Sequence, residues 1–223
     1  ESVCKIGDEA FADFDELQSV TVGDSVETIG DKAFANCSKL ESVKFGKSLW
    51  KIGAYAFMEC EKLKSIVLPN NVKVILTGAF NDCCCLSSVT LSTSMTEIPA
   101  EAFAGCMALT TVALPQSVTS IGDNAFYDCS LLSTISLANV NHIGQSAFYD
   151  CRSLSEITLS DNLSVINDYA FKGCTSIKGV TIPESVCKIG ESAFYDCTAL
   201  ENVTFAGTTP IDFGGHAFAN CVS

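Results

Sequence analysis

Residues 121–137 read I-G-D-N-A-F-Y-D-C-S-L-L-S-T-I-S-L, and variants of this stretch recur along the whole chain. Phenylalanine returns ten times at steps of 23 residues, apart from one step of 22 and one of 24, and alanine precedes it each time. The unit I-G-x-x-A-F-x-x-C-x-x-L-x-x-V-x-L therefore predicts a stack of similar repeats rather than a conventional globular core. The repeating phenylalanines are Phe11, Phe34, Phe57, Phe80, Phe103, Phe126, Phe148, Phe171, Phe194 and Phe218.

The two halves of the unit have different spacings, which predict different structures. The spacing of three between Phe, Cys and Leu favours a short helical or 3₁₀ turn, and the spacing of two after Val favours a strand. Asp31, Asp123 and Asp168 precede such turns, where their carboxylates are expected to cap backbone N–H groups. The glycine that follows Ile is expected to turn the chain between the halves.

Stacking of the units would solve the problem that one unit cannot bury its own apolar side. Equivalent strands are expected to pair in parallel, so that nine of them form a sheet about 40 Å long. The predicted fold therefore has a parallel sheet on one face and short helical or 3₁₀ turns on the other.

This pattern closely resembles the BspA-like, or Treponema pallidum type, leucine-rich repeats of bacterial and protozoan surface proteins. The resemblance covers essentially all of residues 1–223 and implies one leucine-rich-repeat domain of about ten 23-residue units, a right-handed α/β-type solenoid rich in strands. Leu76 and Pro99 depart from the pattern, because most units have glycine there. Glu1–Gly7 repeats Glu184–Gly190 letter for letter, so we interpret the chain as a fragment of a longer repeat array.

Charge and hydropathy disfavour several classes of partner. The 26 acidic and 13 basic residues give a net charge of −13, which would repel phosphate backbones and anionic lipid headgroups. No apolar run is long enough to cross a bilayer. We therefore expect neither nucleic-acid binding nor direct membrane insertion. The acidic excess indicates either simple solubility or a basic partner surface.

The thirteen cysteines are better explained by the repeat than by disulfides or metal. Nine of them occupy one position of the unit, where Phe14 stands in the first unit, so we interpret them as reduced core thiols. Cys84 and Cys85 follow Cys83, but zinc would need a fourth ligand at suitable spacing. No cofactor or metal is expected. So many unpaired thiols indicate the cytosol or the surface of an anaerobe.

Catalysis is not expected from this sequence. The histidines, His142 and His216, lie more than three repeats apart, and no phosphate-binding loop or nucleophile motif is present.

The residues on either side of the strand valine are the main candidates for binding. They form two mostly Ser/Thr columns that should face solvent, either as strand-forming filler or as a surface for an extended protein or glycan. The larger candidates lie elsewhere: Trp50 in the variable column before Ile, and Tyr127, Tyr149 and Tyr195 in Y-D-C triplets, where partial burial against the next unit is the alternative. The sheet-face candidates are Thr21, Lys44, Ser65, Ser88, Thr90, Thr111, Thr134, Ser136, Thr158 and Thr181.

The resemblance implies a recognition function at a cell surface. The leading hypothesis is a displayed or secreted module of an anaerobic microbe that adheres to host or neighbouring-cell proteins, such as extracellular-matrix or surface proteins. The alternatives are a cytoplasmic interaction scaffold and a passive spacer.

Overall fold

The computed structural model describes residues 3–208 and 210–221, and the predicted domain ends at Glu1, Ser2, Val222 and Ser223 lie outside them. The described chain winds into a solenoid in which each complete turn contributes two short strands. The second strand of each unit follows Leu and carries the predicted valine column. These nine Val strands are β2 (Ser19–Thr21), β4 (Ser42–Lys44), β6 (Ser65–Val67), β8 (Ser88–Thr90), β10 (Thr111–Val112), β12 (Thr134–Leu137), β14 (Glu156–Leu159), β16 (Gly179–Ile182) and β18 (Asn202–Phe205).

The first strand of each unit was not predicted from the sequence. It is only two residues long and ends at the Ile position, so it shows no alternating pattern that would mark a strand. The ten Ile strands in the described chain are β1 (Lys5–Ile6), β3 (Thr28–Ile29), β5 (Lys51–Ile52), β7 (Val74–Ile75), β9 (Glu97–Ile98), β11 (Ser120–Ile121), β13 (His142–Ile143), β15 (Val165–Ile166), β17 (Lys188–Ile189) and β19 (Asp212–Phe213).

Both sets of strands pair in parallel, each with its counterpart in the neighbouring unit. Val strands form ladders in the orders β2-β4, β6-β8-β10-β12-β14 and β16-β18, and Ile strands in the orders β1-β3-β5-β7 and β9-β11-β13-β15-β17-β19. The interruption between β7 and β9 has a chemical cause. Leu76 donates its N–H to the Ile52 carbonyl, whereas Pro99 has no N–H to donate at the same position.

The turn segment around the repeating Phe is not helical, and the described residues contain neither α nor 3₁₀ helix, so the predicted helical turn was wrong. The residues two before and two after each Phe have φ between 51° and 75°, in the left-handed region. Every second N–H of this segment donates to a carbonyl of the next unit, as Phe34 N–H donates to the Ala56 carbonyl (2.8 Å). Phe, Cys and Leu are spaced by three residues in this segment as they would be in a helical turn, so the spacing alone did not distinguish the two structures.

The predicted capping aspartates act between units rather than within one. Carboxylate oxygens of Asp31, Asp123 and Asp168 accept the backbone N–H at the equivalent position of the following unit at 2.7–2.8 Å. The glycine after Ile also allows close contact between neighbouring units, and it does not form the predicted turn. A Cβ on Gly144 would lie 2.5 Å from the Asp123 nitrogen, so the backbones approach too closely for a side chain.

The interior is built from columns of identical residues. The ten phenylalanine rings stack with centroids 5.1–5.7 Å apart and planes within 14°, and those from Phe34 to Phe194 are fully buried. The nine repeat cysteines form a thiol ladder beside them. Each Sγ–H donates to the Phe carbonyl of the preceding unit at 3.0–3.3 Å, so cysteine supplies a small apolar side chain and a donor at once.

Candidate binding surfaces

The Val strands present the predicted polar columns to solvent, and we call this surface the ribbon. All ten predicted sheet-face residues are exposed, whereas the residue between the two columns is buried or half-buried. The parallel register places equivalent side chains side by side, as Thr134 pairs with Glu156 and Ser136 with Thr158. The ribbon is therefore a nearly flat face of hydroxyl groups, with Lys44 at one end.

Over units five to eight, small side chains leave a depression in the ribbon. Thr111, Ala113, Ser136 and Thr158 line an open hollow of about 390 Å³. A second hollow of about 480 Å³ adjoins it at Glu156 and extends to Lys178 and Gly179. Glu156 thus stands between the two hollows as the one carboxylate in the described ribbon columns.

Trp50 lies on the other side of the solenoid, beside the Ile strands. Its side chain is 42% exposed and borders a hollow of about 340 Å³ that Asp8, Asp31 and Lys51 also line. A larger hollow of about 660 Å³ opens at Phe11 and Val20, but its lining is the interior of the first unit. Neither hollow belongs to the ribbon.

The predicted tyrosines lie together on the turn side, so the structure groups them away from the ribbon. Tyr127 and Tyr149 stack with centroids 4.8 Å apart, and Tyr127 is 39% exposed. Tyr195 lies two units beyond Tyr149, with Lys172 between them. The alternative of partial burial against the neighbouring unit describes all three: Tyr149 and Tyr195 are half-buried, and Tyr127, although more exposed, stacks on Tyr149.

The ammonium of Lys172 contacts three aromatic faces at once. Its Nζ lies 5.2 Å from the ring centroid of Tyr149, 5.0 Å from that of Tyr195 and 5.5 Å from that of Tyr169. Tyr169 belongs to a different position of the repeat and was not a predicted site residue. Four of the five tyrosines of the protein therefore meet in this cluster, which we call the tyrosine cluster.

An aspartate follows each of Tyr127, Tyr149 and Tyr195 in the turn segment, so carboxylates border the tyrosine cluster. Asp128, Asp150 and Asp196 follow their tyrosines at φ of 52°, 55° and 58°, a conformation that Asp and Asn tolerate better than most residues. Burial raises the pKa of Tyr127, and neighbouring Tyr149 and Asp150 raise it further. Asp150 accepts a 3.0 Å bond from Arg152. The cluster thus combines aromatic faces with an acidic margin.

A comparison of the same repeat position in successive units could have revealed part of the cluster. The residue after the repeating Phe is Tyr127, Tyr149, Lys172 and Tyr195 in four successive units. The contact with Tyr169 could not be read in this way, since it depends on how the turn brings two repeat positions together.

The thiols and histidines form no evident reactive centre. All thirteen cysteines are free; Cys4, Cys85 and Cys187 are exposed, and the thiol ladder is buried over units two to nine. Within residues 3–208 and 210–221, no group of three or more His, Cys, Asp or Glu side chains is arranged to hold a metal ion. His142 and His216 are both exposed and lie on different units. The same residues include no helix long and apolar enough to cross a membrane.

These features define a leucine-rich-repeat solenoid with flat outer faces. The sequence matches the BspA type leucine rich repeat region, in six copies, over residues 1–110 and 96–223. The chain belongs to this family, whose members are typically non-catalytic. Leucine-rich-repeat proteins generally bind other proteins.

Several solved structures are similar to this chain, and the first of them supports the assignment. A T. pallidum leucine rich repeat protein is 31% identical, with a TM-score of 0.65 over 69% of this chain and 72% of its own. The pneumococcal vaccine antigen PcpA is 22% identical, with a TM-score of 0.56 over 100% and 73%, which indicates a shared fold alone. A leucine rich cell surface protein of Faecalibacterium prausnitzii is 24% identical, with a TM-score of 0.43 over 92% and 84%. No curated protein matches the chain.

Proposed function

We propose that this chain is a non-catalytic protein-binding module of a cell-surface or secreted protein, and that it adheres to proteins of a host or of neighbouring cells. The observation that carries the proposal is the ribbon, an exposed face on which Ser and Thr predominate and equivalent side chains of paired strands lie side by side. Hydroxyl groups both donate and accept hydrogen bonds, so such a face can contact an extended polypeptide at many points.

Several features support a protein partner rather than another class. The net charge of −13 disfavours nucleic acid and anionic lipid. The hollow around Ser136 is wide enough to accept a side chain from a partner. Surface display follows the family resemblance, and the many free thiols fit the surface of an anaerobe better than an oxidising environment.

The test begins with titration of the purified domain, under reducing conditions, against purified extracellular-matrix and bacterial surface proteins. For any saturable partner, we expect Ser136→Arg to lower the affinity at least about tenfold, because a bulky cation would fill the hollow at the centre of the ribbon. Thr119→Arg is the matched control, since Thr119 is exposed at the edge of the Ile strands.

Two outcomes would count against the proposal. Equal affinity of Ser136→Arg and the parent chain would remove the ribbon as the contact face. Absence of any saturable partner across the panel would favour the passive spacer.

A further inference from the structure

The tyrosine cluster is the second surface whose composition differs from the rest of the solenoid. At the position after the repeating Phe, units six, seven and nine have tyrosine and unit eight has Lys172, whereas the other described units have Ala, Met or Asn. Tyrosine is enriched where proteins bind partners, because it buries a large rigid area and can also donate a hydrogen bond. Its concentration on one part of the turn side calls for a reason beyond packing.

The arrangement of the cluster suits a cation. Three of its rings already hold the ammonium of Lys172 at 5.0–5.5 Å, which is within the range for a favourable cation–π contact. The exposed face of Tyr127 lies one unit beyond Tyr149 and is not among the rings that Lys172 contacts. Asp128 is the next residue in the chain and is half-buried, and its carboxylate is one of the charges that raise the pKa of Tyr127.

We propose that the tyrosine cluster is a docking site for a basic, arginine-containing segment of a partner protein. An incoming guanidinium stacks on the open face of Tyr127 and pairs with Asp128, while Lys172 occupies the faces of Tyr149 and Tyr195. The partner is basic because the cluster joins aromatic faces to three aspartates, against the two resident cations Lys172 and Arg152, on a chain of net charge −13. This second contact surface rests on the proposed recognition function and specifies the chemistry of the partner.

The first experiment measures binding of a fluorescein-labelled Gly-Arg-Gly-Arg-Gly-Arg-Gly peptide by fluorescence anisotropy at near-physiological salt. A peptide with citrulline in place of arginine keeps the shape but removes the charge. We expect Tyr127→Ala to weaken arginine-peptide binding about fivefold or more, and Tyr127→Leu to weaken it similarly because leucine lacks an aromatic face. Circular dichroism and thermal unfolding check that both variants remain folded.

The second experiment tests the role of Lys172 against general electrostatics. Lys172→Met removes the resident cation and leaves the Tyr149 and Tyr195 faces free, so we expect arginine-peptide binding to tighten about fivefold. Lys188→Met makes the same change of net charge on the exposed part of β17, and we expect it to alter binding less than about twofold.

Any of three results would overturn the proposal. The two lysine variants could tighten arginine-peptide binding equally, both Tyr127 variants could bind that peptide as the parent chain does, or the citrulline peptide could bind as tightly as the arginine peptide. Preferential binding of a glycan to the cluster would overturn it as well. These results are separable from the ribbon test, since Ser136→Arg lies on the Val strands and is expected to leave peptide binding unchanged. If Ser136→Arg loses partner binding while the arginine peptide does not bind the tyrosine cluster, the proposed function stands and the tyrosine cluster is not a docking site.

Discussion

Both the Val strands and the turn segments pair with neighbouring units, but they place very different demands on the sequence. A strand uses a backbone conformation open to almost any residue, so its outward side chains are free to vary between Ser, Thr, Lys and Glu. The turn segment needs two left-handed residues and a stacked ring in every unit, and nine of the ten units add a thiol donor. The strands are therefore the adaptable part of the solenoid, and the turn segments hold its geometry.

The largest predicted way to disrupt the turn side is alkaline pH. Burial raises the pKa of the Cys83, Cys106 and Cys151 thiols well above their usual value in the folded chain. In the unfolded chain these thiols titrate near pH 8.5. Below that pH both states keep the protons, and above it only the unfolded state loses them. The free energy of unfolding should therefore fall above about pH 8.5, by roughly 1.4 kcal/mol per pH unit for each buried thiol.

Urea denaturation under reducing conditions at pH 7.5, 8.5 and 9.5 measures this decline. The control variant replaces the exposed or half-exposed Cys4, Cys84, Cys85 and Cys187 by serine, and it should show the same decline because those thiols are not in the ladder. A free energy of unfolding that stays constant to pH 9.5 would contradict the role given to the buried thiols.

The second prediction compares one residue from each region within the same unit. Phe126 is fully buried between Phe103 and Phe148, with centroids at 5.6 and 5.4 Å. Phe126→Ala should reduce the free energy of unfolding by about 3–5 kcal/mol, because it interrupts the stack and leaves a cavity. Thr134→Ala on the exposed side of β12 should change it by less than about 0.5 kcal/mol. Comparable losses from the two substitutions in urea denaturation would refute the contrast.

The same contrast explains which parts of the molecule could be predicted from its sequence. The Val strands, their exposed columns and the buried cysteines follow directly from side-chain periodicity, which is set by burial. The Ile strands are too short to show a period, and the turn segments, with left-handed residues two before and two after each Phe, share the three-residue spacing of a helix. Cation contacts such as Lys172 with Tyr169 join two repeat positions, so they depend on the turn geometry that the spacing misassigned.

A pair of exposed glutamates gives the test with the smallest expected effect. The free energy of unfolding should change with opposite signs in the two regions. Glu59 lies in a turn segment at φ 57°, whereas Glu156 lies in the Val strand β14. Glu59→Gly should stabilise the chain by about 1 kcal/mol, since glycine removes the steric cost of the left-handed conformation. Glu156→Gly should destabilise it by about 0.5–1 kcal/mol, since glycine in a strand loses more conformational freedom on folding. Thermal and urea unfolding of both variants measures the signs. Destabilisation by Glu59→Gly would mean that the left-handed residues are not strained, and that the turn segment is held by its ring stack and thiols alone.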